Sequence, residues 1–334
     1  MKHTPGERLA VAASTLALSA VSAFGWIACP AVAQTNYPTR QITVVMPYAA
    51  GGPTDVAVRA VAKRMSEELK QAVVVDNKPG GGAIIGSQLV ANAKPDGYTL
   101  LAAVVASLVT NPLLQAKPPY DPNTAFEPIS LIAANPLILV ASKASGLKSF
   151  AEFLRKAKEQ PGQMAIASYG MGTPSHLAIE LLKTTAGIDV IHVPYNGSAP
   201  AMIDLRGGRV PTMMDILPSH VKTIESGEVV GLALGQHSRS ALAASVPTFG
   251  ETGLQDFEAL TWFGFVAPAG TPRDVIDRLN AAMKVALTDA STLQVLKTLG
   301  MEARPTSPQE FRDLIKADYL KWSSVIKIAN IPKQ

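Results

Sequence analysis

Two stretches of this chain have the makings of an anion site. Ile42-Thr-Val-Val-Met-Pro-Tyr-Ala-Ala-Gly-Gly-Pro-Thr-Asp55 runs from an apolar strand through a glycine-containing loop into a helix start. Ala165-Ile-Ala-Ser-Tyr-Gly-Met-Gly-Thr-Pro-Ser-His176 repeats that order in the second half. Pro53 and Pro174 each suit the first helical position, where a missing N–H is not wanted. Thr173 is a good N-cap, and Gly52 a tolerable one. Loops at the carboxyl ends of strands are where open α/β sheets hold ligands, and a helix start offers free N–H groups at the positive end of its dipole. Asn77-Lys-Pro-Gly-Gly-Gly-Ala83 and Tyr195-Asn-Gly-Ser-Ala-Pro200 form a second pair of loops, with Ser198 placed to cap a helix. Any one of these turns is ordinary punctuation of an α/β chain. Four of them, two per half, indicate a cleft between domains.

Two carboxylates stand close to these loops. Asp55 is the third residue of its helix if Gly52 is the cap, so it either holds the helix start or meets a ligand. Asp215 ends an apolar run and accepts a hydrogen bond either from a neighbouring loop or from a ligand amine or hydroxyl. Both roles stay open for both residues. Ser175 beside His176 invites a hydrolase reading, but adjacent helical residues do not face each other. No G-x-S-x-G elbow occurs either, so capping and cleft lining are the expected roles. Arg206 and Arg209 bracket Gly207-Gly208 at a helix end, where basic residues suit the dipole. Trp262 and Phe263 are expected in the core. A nucleotide-dependent enzyme is disfavoured: after Gly80-Gly-Gly82 the third glycine of G-x-G-x-x-G belongs at 85, which is Ile85, and Gly86 comes one residue late.

The elements that must position these groups alternate in type. Apolar runs at Ile42–Met46, Val73–Val75, Tyr98–Val105, Leu137–Ser142, Met164–Ser168, Val190–Pro194, Val210–Ile216 and Val229–Leu234 read as strands. Between them, Asp55–Lys70, Gly82–Ala93, Phe150–Glu159, Ser175–Thr185, Ala199–Arg206 and Val221–Ser226 read as helices. Such alternation argues for an α/β fold with largely parallel sheets. The last third changes character: one strand, Leu260–Val266, is followed by helices at Thr271–Leu287, Thr292–Leu299 and Pro308–Ala329. With no strands of their own to cover, these helices are expected to pack back on the first sheet. The chain then crosses between domains twice, near Leu131–Leu137 and near Leu260–Val266, as a hinge requires.

The first 34 residues bear on location. Lys2 and Arg8 precede an uncharged apolar run, Leu9 to Ile27, and Ala31-Val32-Ala33 is an A-x-A cleavage motif before Gln34. This is the order of parts in a secretory signal peptide, residues 1–33, cleaved after Ala33, and it implies a periplasmic protein. Cleavage also removes Cys29, the one cysteine of 334 residues, so the mature protein relies on core burial rather than disulfides. The net charge of +4 is small and evenly spread, which argues against nucleic acid. Metal chemistry finds no support, since no His pair has i,i+4 spacing with a carboxylate.

Taken together, these motifs resemble the Bug family, the periplasmic receptors of tripartite tricarboxylate transporters. The matching segments are Tyr37-Pro-Thr-Arg-Gln-Ile42, Pro47-Tyr-Ala-Ala-Gly-Gly-Pro-Thr-Asp55 with Arg59, Asn77-Lys-Pro-Gly-Gly-Gly82, Pro95-Asp-Gly-Tyr-Thr99, His192-Val-Pro-Tyr195 with Gly197, Pro247-Thr248 with Glu251 and Gly253, and Ala267-Pro-Ala-Gly-Thr-Pro272. The resemblance implies a two-domain periplasmic binding protein (a Venus flytrap), each domain a mixed, mainly parallel sheet flanked by helices, joined by two crossover strands. Domain 1 would take residues 34–135 and 261–334, and domain 2 residues 136–260. It further implies a non-catalytic monomer, without cofactor, that closes on a small organic carboxylate and delivers it to a two-subunit integral membrane permease. A ligand-responsive sensor acting on a signalling partner is the alternative. Carried over by position, the ligand contacts are Tyr48, Ala50, Gly52, Thr54, Asp55 and Ser107 from one domain. Ser168, Gly170, Gly172, Thr173, Ser175, Tyr195, Asn196 and Asp215 come from the other. The family holds its carboxylate mostly with amides, hydroxyls and waters, which agrees with the lack of Lys or Arg from Met46 to Thr54 and from Ser168 to Ser175. Tyr48 stands where many relatives have Phe, so an added hydroxyl in the pocket is expected to change which solute fits.

Overall fold

A computed structural model of the chain describes residues 36–333, so the expected leader and its cleavage point lie outside the described residues. The first half contains β1 (Ile42–Met46), α1 (Pro53–Leu69), β2 (Val73–Asn77), α2 (Ile84–Ala91) and β3 (Thr99–Val104), then a π-helical turn at Ala106–Thr110 and the short α3 (Asn111–Leu114). A 17-residue strand, β4 (Phe126–Ser142), leads into α4 (Phe150–Glu159), β5 (Ala165–Ser168), α5 (Pro174–Ala186), β6 (Ile191–Pro194), α6 (Ser198–Arg206), β7 (Thr212–Ile216), α7 (Val221–Glu225) and β8 (Val229–Leu234). The chain returns through β9 (Leu260–Pro268) and ends in α8 (Arg273–Thr288), α9 (Ala290–Thr298) and α10 (Pro308–Ile328). No described helix is long and apolar enough to cross a membrane.

The strands run in the order β2-β1-β3-β9-β4-β7-β5-β6, with β8 also paired to β4. Every pairing that avoids β4 and β9 is parallel, as short βαβ crossovers demand. β4 and β9 run antiparallel to each other from Phe126 opposite Pro268 to Pro136 opposite Leu260. From Leu137 onward β4 changes partners and pairs with β7 and β8. These two strands carry the chain across the molecule at the places where the sequence indicates crossings. Only Leu137–Ser142 reads as a strand in the sequence, and the observed β4 begins eleven residues earlier at Phe126. Pro128 and Pro136 hide that start, because proline normally argues against a strand interior. Here the register shifts just after Pro128, and Pro136 sits where β4 changes partners, so neither missing N–H breaks a regular ladder.

Helix placement follows the apolar stripes. Val58, Val61, Ala62 and Met65 of α1 share one core with Val275, Ile276, Leu279 and Met283 of α8, over Ile42, Val44 and Met46 of β1. α8 thus covers the first half of the sheet, as expected. Phe311 and Trp322 of α10 lie in a core that reaches from Leu131 of β4 to Leu177 of α5. Trp262 meets the Phe311 ring edge-on at 5.3 Å, and its Nε1–H donates to Asp318 at 2.7 Å. Gly264 of β9 lets Phe311 and the β4 backbone come close: a Cβ there would lie 2.9 Å from Phe311 Cε1 and 2.4 Å from the Ser130 carbonyl oxygen.

Candidate functional site

The loop after β1 is tied down by a buried carboxylate. Asp55 is the third residue of α1 and 2% exposed. It accepts from the Gly51 amide at 3.0 Å, from Arg59 Nε at 2.9 Å and from Asn77 Nδ2 at 2.9 Å. The Asn77 amide also donates to the Tyr48 carbonyl, and its oxygen accepts from Arg59 Nη2 at 2.6 Å. Burial alone would raise the Asp55 pKa, but Arg59, the Gly51 amide and Asn77 together hold it below the usual carboxylate range. Asp55 thus fixes the shape of the loop. Gly51, at φ +89°, supplies the left-handed turn that brings its amide back to the carboxylate.

The matching loop after β5 is built from short side chains and two imidazoles. Thr173 caps α5, accepting from the His176 amide, and its hydroxyl donates to the Gly170 carbonyl at 2.7 Å. The Gly172 amide donates to His176 Nδ1 at 3.1 Å. Ser168 Oγ lies 2.6 Å from His192 Nε2 and accepts from the Gly170 amide. The hydroxyl of buried Ser175 donates to the Met214 carbonyl at 2.5 Å, which pins α5 to β7. Ser107 is likewise turned inward, between the amide and carbonyl of Val104. Tyr195 donates its hydroxyl to Asp204 at 2.9 Å, and Asn196 is exposed on the same loop.

Asp215, the penultimate residue of β7, has its side chain 1% exposed. It accepts from the Ile216 amide at 2.8 Å, from His220 Nε2 at 3.0 Å and from the Ser198 hydroxyl. Ser198 does not cap α6 as expected; Gly197 holds the cap position, and the serine hydroxyl reaches across to β7 instead. Arg206 pairs with Glu228 at 2.5 Å, and Arg209 pairs with Asp204.

A cavity of about 590 Å³ opens among these parts. All four glycine-containing loops reach it: Tyr48, Pro53 and Thr54; Gly81, Gly82 and Ile84; Tyr169, Gly172 and Thr173; Gly197 and Ser198. The starts of α1, α2, α5 and α6 thus converge on one space. Of the residues carried over by position, Tyr48, Thr54, Gly172, Thr173 and Asp215 line it. Ala50, Gly52, Asp55, Ser107, Ser168, Gly170, Ser175, Tyr195 and Asn196 lie behind or beside that lining. Asp215 is the one acidic group on the wall among the described residues, and no Lys, Arg or His lines it.

Several lining groups escape a reading of the sequence. Tyr169 sits inside the β5 loop, and burial, with Asp215 and Tyr48 nearby, pushes its phenol pKa well up, so it stays neutral. Thr110, Asn111 and Leu114 come from the π-helical turn and α3, which carry no periodic signal. The Asn111 amide donates to the Gly82 carbonyl, joining two lining segments. Trp262 and Phe263 are core residues, as expected, yet they also form part of the cavity wall.

Residues 57–331 match the family model described as the tripartite tricarboxylate transporter family receptor. The chain belongs to that family. Three solved structures resemble it throughout their length. One is the periplasmic binding protein BugD, 35% identical, with a TM-score of 0.72 over 89% of this chain and 100% of its own. Another is R. palustris Rpa4515 with adipate, 35% identical, with a TM-score of 0.75 over 89% of this chain and 99% of its own. The third is MatC from Rhodopseudomonas palustris with bound malate, 31% identical, with a TM-score of 0.71 over 87% of this chain and 100% of its own. The fold of this family receptor is that of a periplasmic binding protein. The family and these neighbours are solute receptors.

Proposed function

We propose that this family receptor captures a carboxylate-bearing solute in the 590 Å³ cavity and delivers it to a two-subunit membrane permease. In this reading residues 34–135 with 261–334 form one lobe and 136–260 the other, joined by β4 and β9. The protein is exported, loses its leader after Ala33 and works as a periplasmic monomer without cofactor. The observation that carries the reading is the convergence of four helix starts on a cavity with no cation in its wall. Neutral donors suffice for a single carboxylate. Each amide or hydroxyl bond to a charged oxygen contributes about 1.5–3 kcal/mol, and each helix start about 0.3–1 kcal/mol. After ordering costs, micromolar affinity, about −8 kcal/mol, is within reach. The wall of Val104, Val105, Trp262 and Phe263 would face the solute's carbon body.

The test is a thermal-shift screen of the mature protein against adipate, malate, citrate and benzoate. A bound acid at a hundred times its Kd adds about 2.7 kcal/mol of stability and raises the melting temperature by several degrees. If every carboxylate leaves the melting temperature unchanged, the reading fails.

A further inference from the structure

Behind the Gly172–Thr173 wall of the cavity lie two histidines that the proposed contacts leave unused. His176 of α5 and His192 of β6 stack face to face, ring centroids 4.2 Å apart and planes 10° apart. Each ring touches the loop. His176 Nδ1 takes the Gly172 amide, and His192 Nε2 meets Ser168 Oγ. The Gly172 bond has a chemical consequence: an N–H can point at Nδ1 only while that nitrogen keeps its lone pair. A proton at Nδ1 would set two donors head to head. Gly172, at φ +69°, is itself on the cavity wall, and a Cβ there would lie 2.8 Å from Leu114 Cδ1, another wall group.

We propose that His176, braced by His192, is a positioning residue for the anion loop, and that protonating the His176 ring in acid releases the loop and lowers carboxylate affinity from the protein's side. The inference rests on the cavity being the solute site. The charged groups facing the pair are Glu180 and Lys183, both on α5. Glu180 Oε1 is 4.0 Å from His176 Nε2 and favours a proton there; Lys183, 3.1 Å from Glu180, opposes it. Ser168 on β5 is uncharged. Burial is the first cause that lowers both histidines; Lys183 lowers both, and the His176 ring lowers His192 further, to about 4. The loop is thus set for neutral pH and fails below it.

The experiment has two arms. With adipate as probe, the parent protein should lose at least tenfold in affinity between pH 7.5 and 4. His176→Phe keeps a ring but no acceptor, and should lose at least tenfold already at pH 7.5. His176→Asn offers Oδ1 to the Gly172 amide, should recover most of that loss, and should show a flatter pH profile than the parent with the same probe. Titration of the acid itself is common to all three proteins and cancels in the comparison. The second arm needs no solute: amide exchange at Gly172 and ring nitrogen shifts of His176, followed by NMR from pH 7.5 to 4.5. Gly172 protection should collapse as the His176 ring gains its proton. A Gly172 amide indifferent to that proton, or equal pH profiles for parent and His176→Asn, overturns the inference. If adipate and the other acids bind nowhere while Gly172 follows His176, the loop coupling stands, but its effect on carboxylate affinity and the receptor reading fall together.

Discussion

Replacing Asp215 by alanine removes the acceptor of three donors at once. The Ile216 amide and His220 Nε2 lose their partner, and the Ser198 hydroxyl is released toward the cavity. His220 is 0% exposed and its Nδ1 already has no partner, so the whole imidazole would be stranded. A buried donor left unpaired costs about 1–3 kcal/mol, so stranding the Ile216 amide and His220 Nε2 together costs about 2–6 kcal/mol. Unfolding entropy near 2.1 cal/mol/K per residue means that about 300 residues shift by about 1.6 °C per kcal/mol. The expected loss for Asp215→Ala is therefore roughly 3–10 °C, read by calorimetry and cross-checked by urea unfolding at fixed pH. Asp215→Asn keeps one acceptor oxygen and should lose about 1–3 kcal/mol. Adding His220→Leu to the alanine variant removes the stranded ring and should restore part of the stability. An alanine variant within about 1 kcal/mol of the parent would refute the argument, because Asp215 would then not be what holds β7 to the Ser198 loop.

Stability should also fall in acid. The unfolded chain takes its histidine protons near pH 6.5, whereas folded His192 resists until about 4. The neutral-state stability is therefore complete above 6.5 and declines as pH drops toward 4, by about 1–2 kcal/mol from half-buried His192 once solvent screening is allowed for. Urea unfolding at pH 7.5, 6.0 and 4.5 measures it, and His192→Phe should flatten the trend. Asn77→Ala takes away the amide that holds both Asp55 and the Tyr48 carbonyl; we expect a loss of about 1–3 kcal/mol and weaker binding of whichever acid the thermal screen identifies. Thr173→Val keeps the shape but deletes the cap, which should cost about 1 kcal/mol, together with roughly tenfold in affinity by calorimetric titration. Gly264→Ala sets a methyl 2.4 Å from the Ser130 oxygen; overpacking there should cost about 1–3 kcal/mol or more, visible as a lower urea midpoint.

Much of the fold is legible without coordinates, for local reasons. Phe150–Glu159 and Val229–Leu234 appear with the ends that their apolar pattern and capping serine or flanking glycine suggest. Gly52 and Thr173 cap their helices as their chemistry and the following prolines require. The start of β4 is not legible, because its prolines are harmless only beside a register shift and a change of partner that the sequence does not display. The π-helical turn at Ala106–Thr110 carries no period of its own and still furnishes part of the cavity wall.

The residues alone determined which groups are available: short polar side chains, free helix-start amides and no cation in the loops after β1 and β5. Those follow from backbone chemistry within a few positions. Only the tertiary structure decided how they are used. It turned Ser107 and Ser175 away to satisfy backbone groups, joined Asp215 to Ser198 and His220, and stacked His176 on His192. The reason is that a buried polar group must find a partner wherever packing brings one, whether nearby, as Val104 for Ser107, or distant, as Met214 for Ser175.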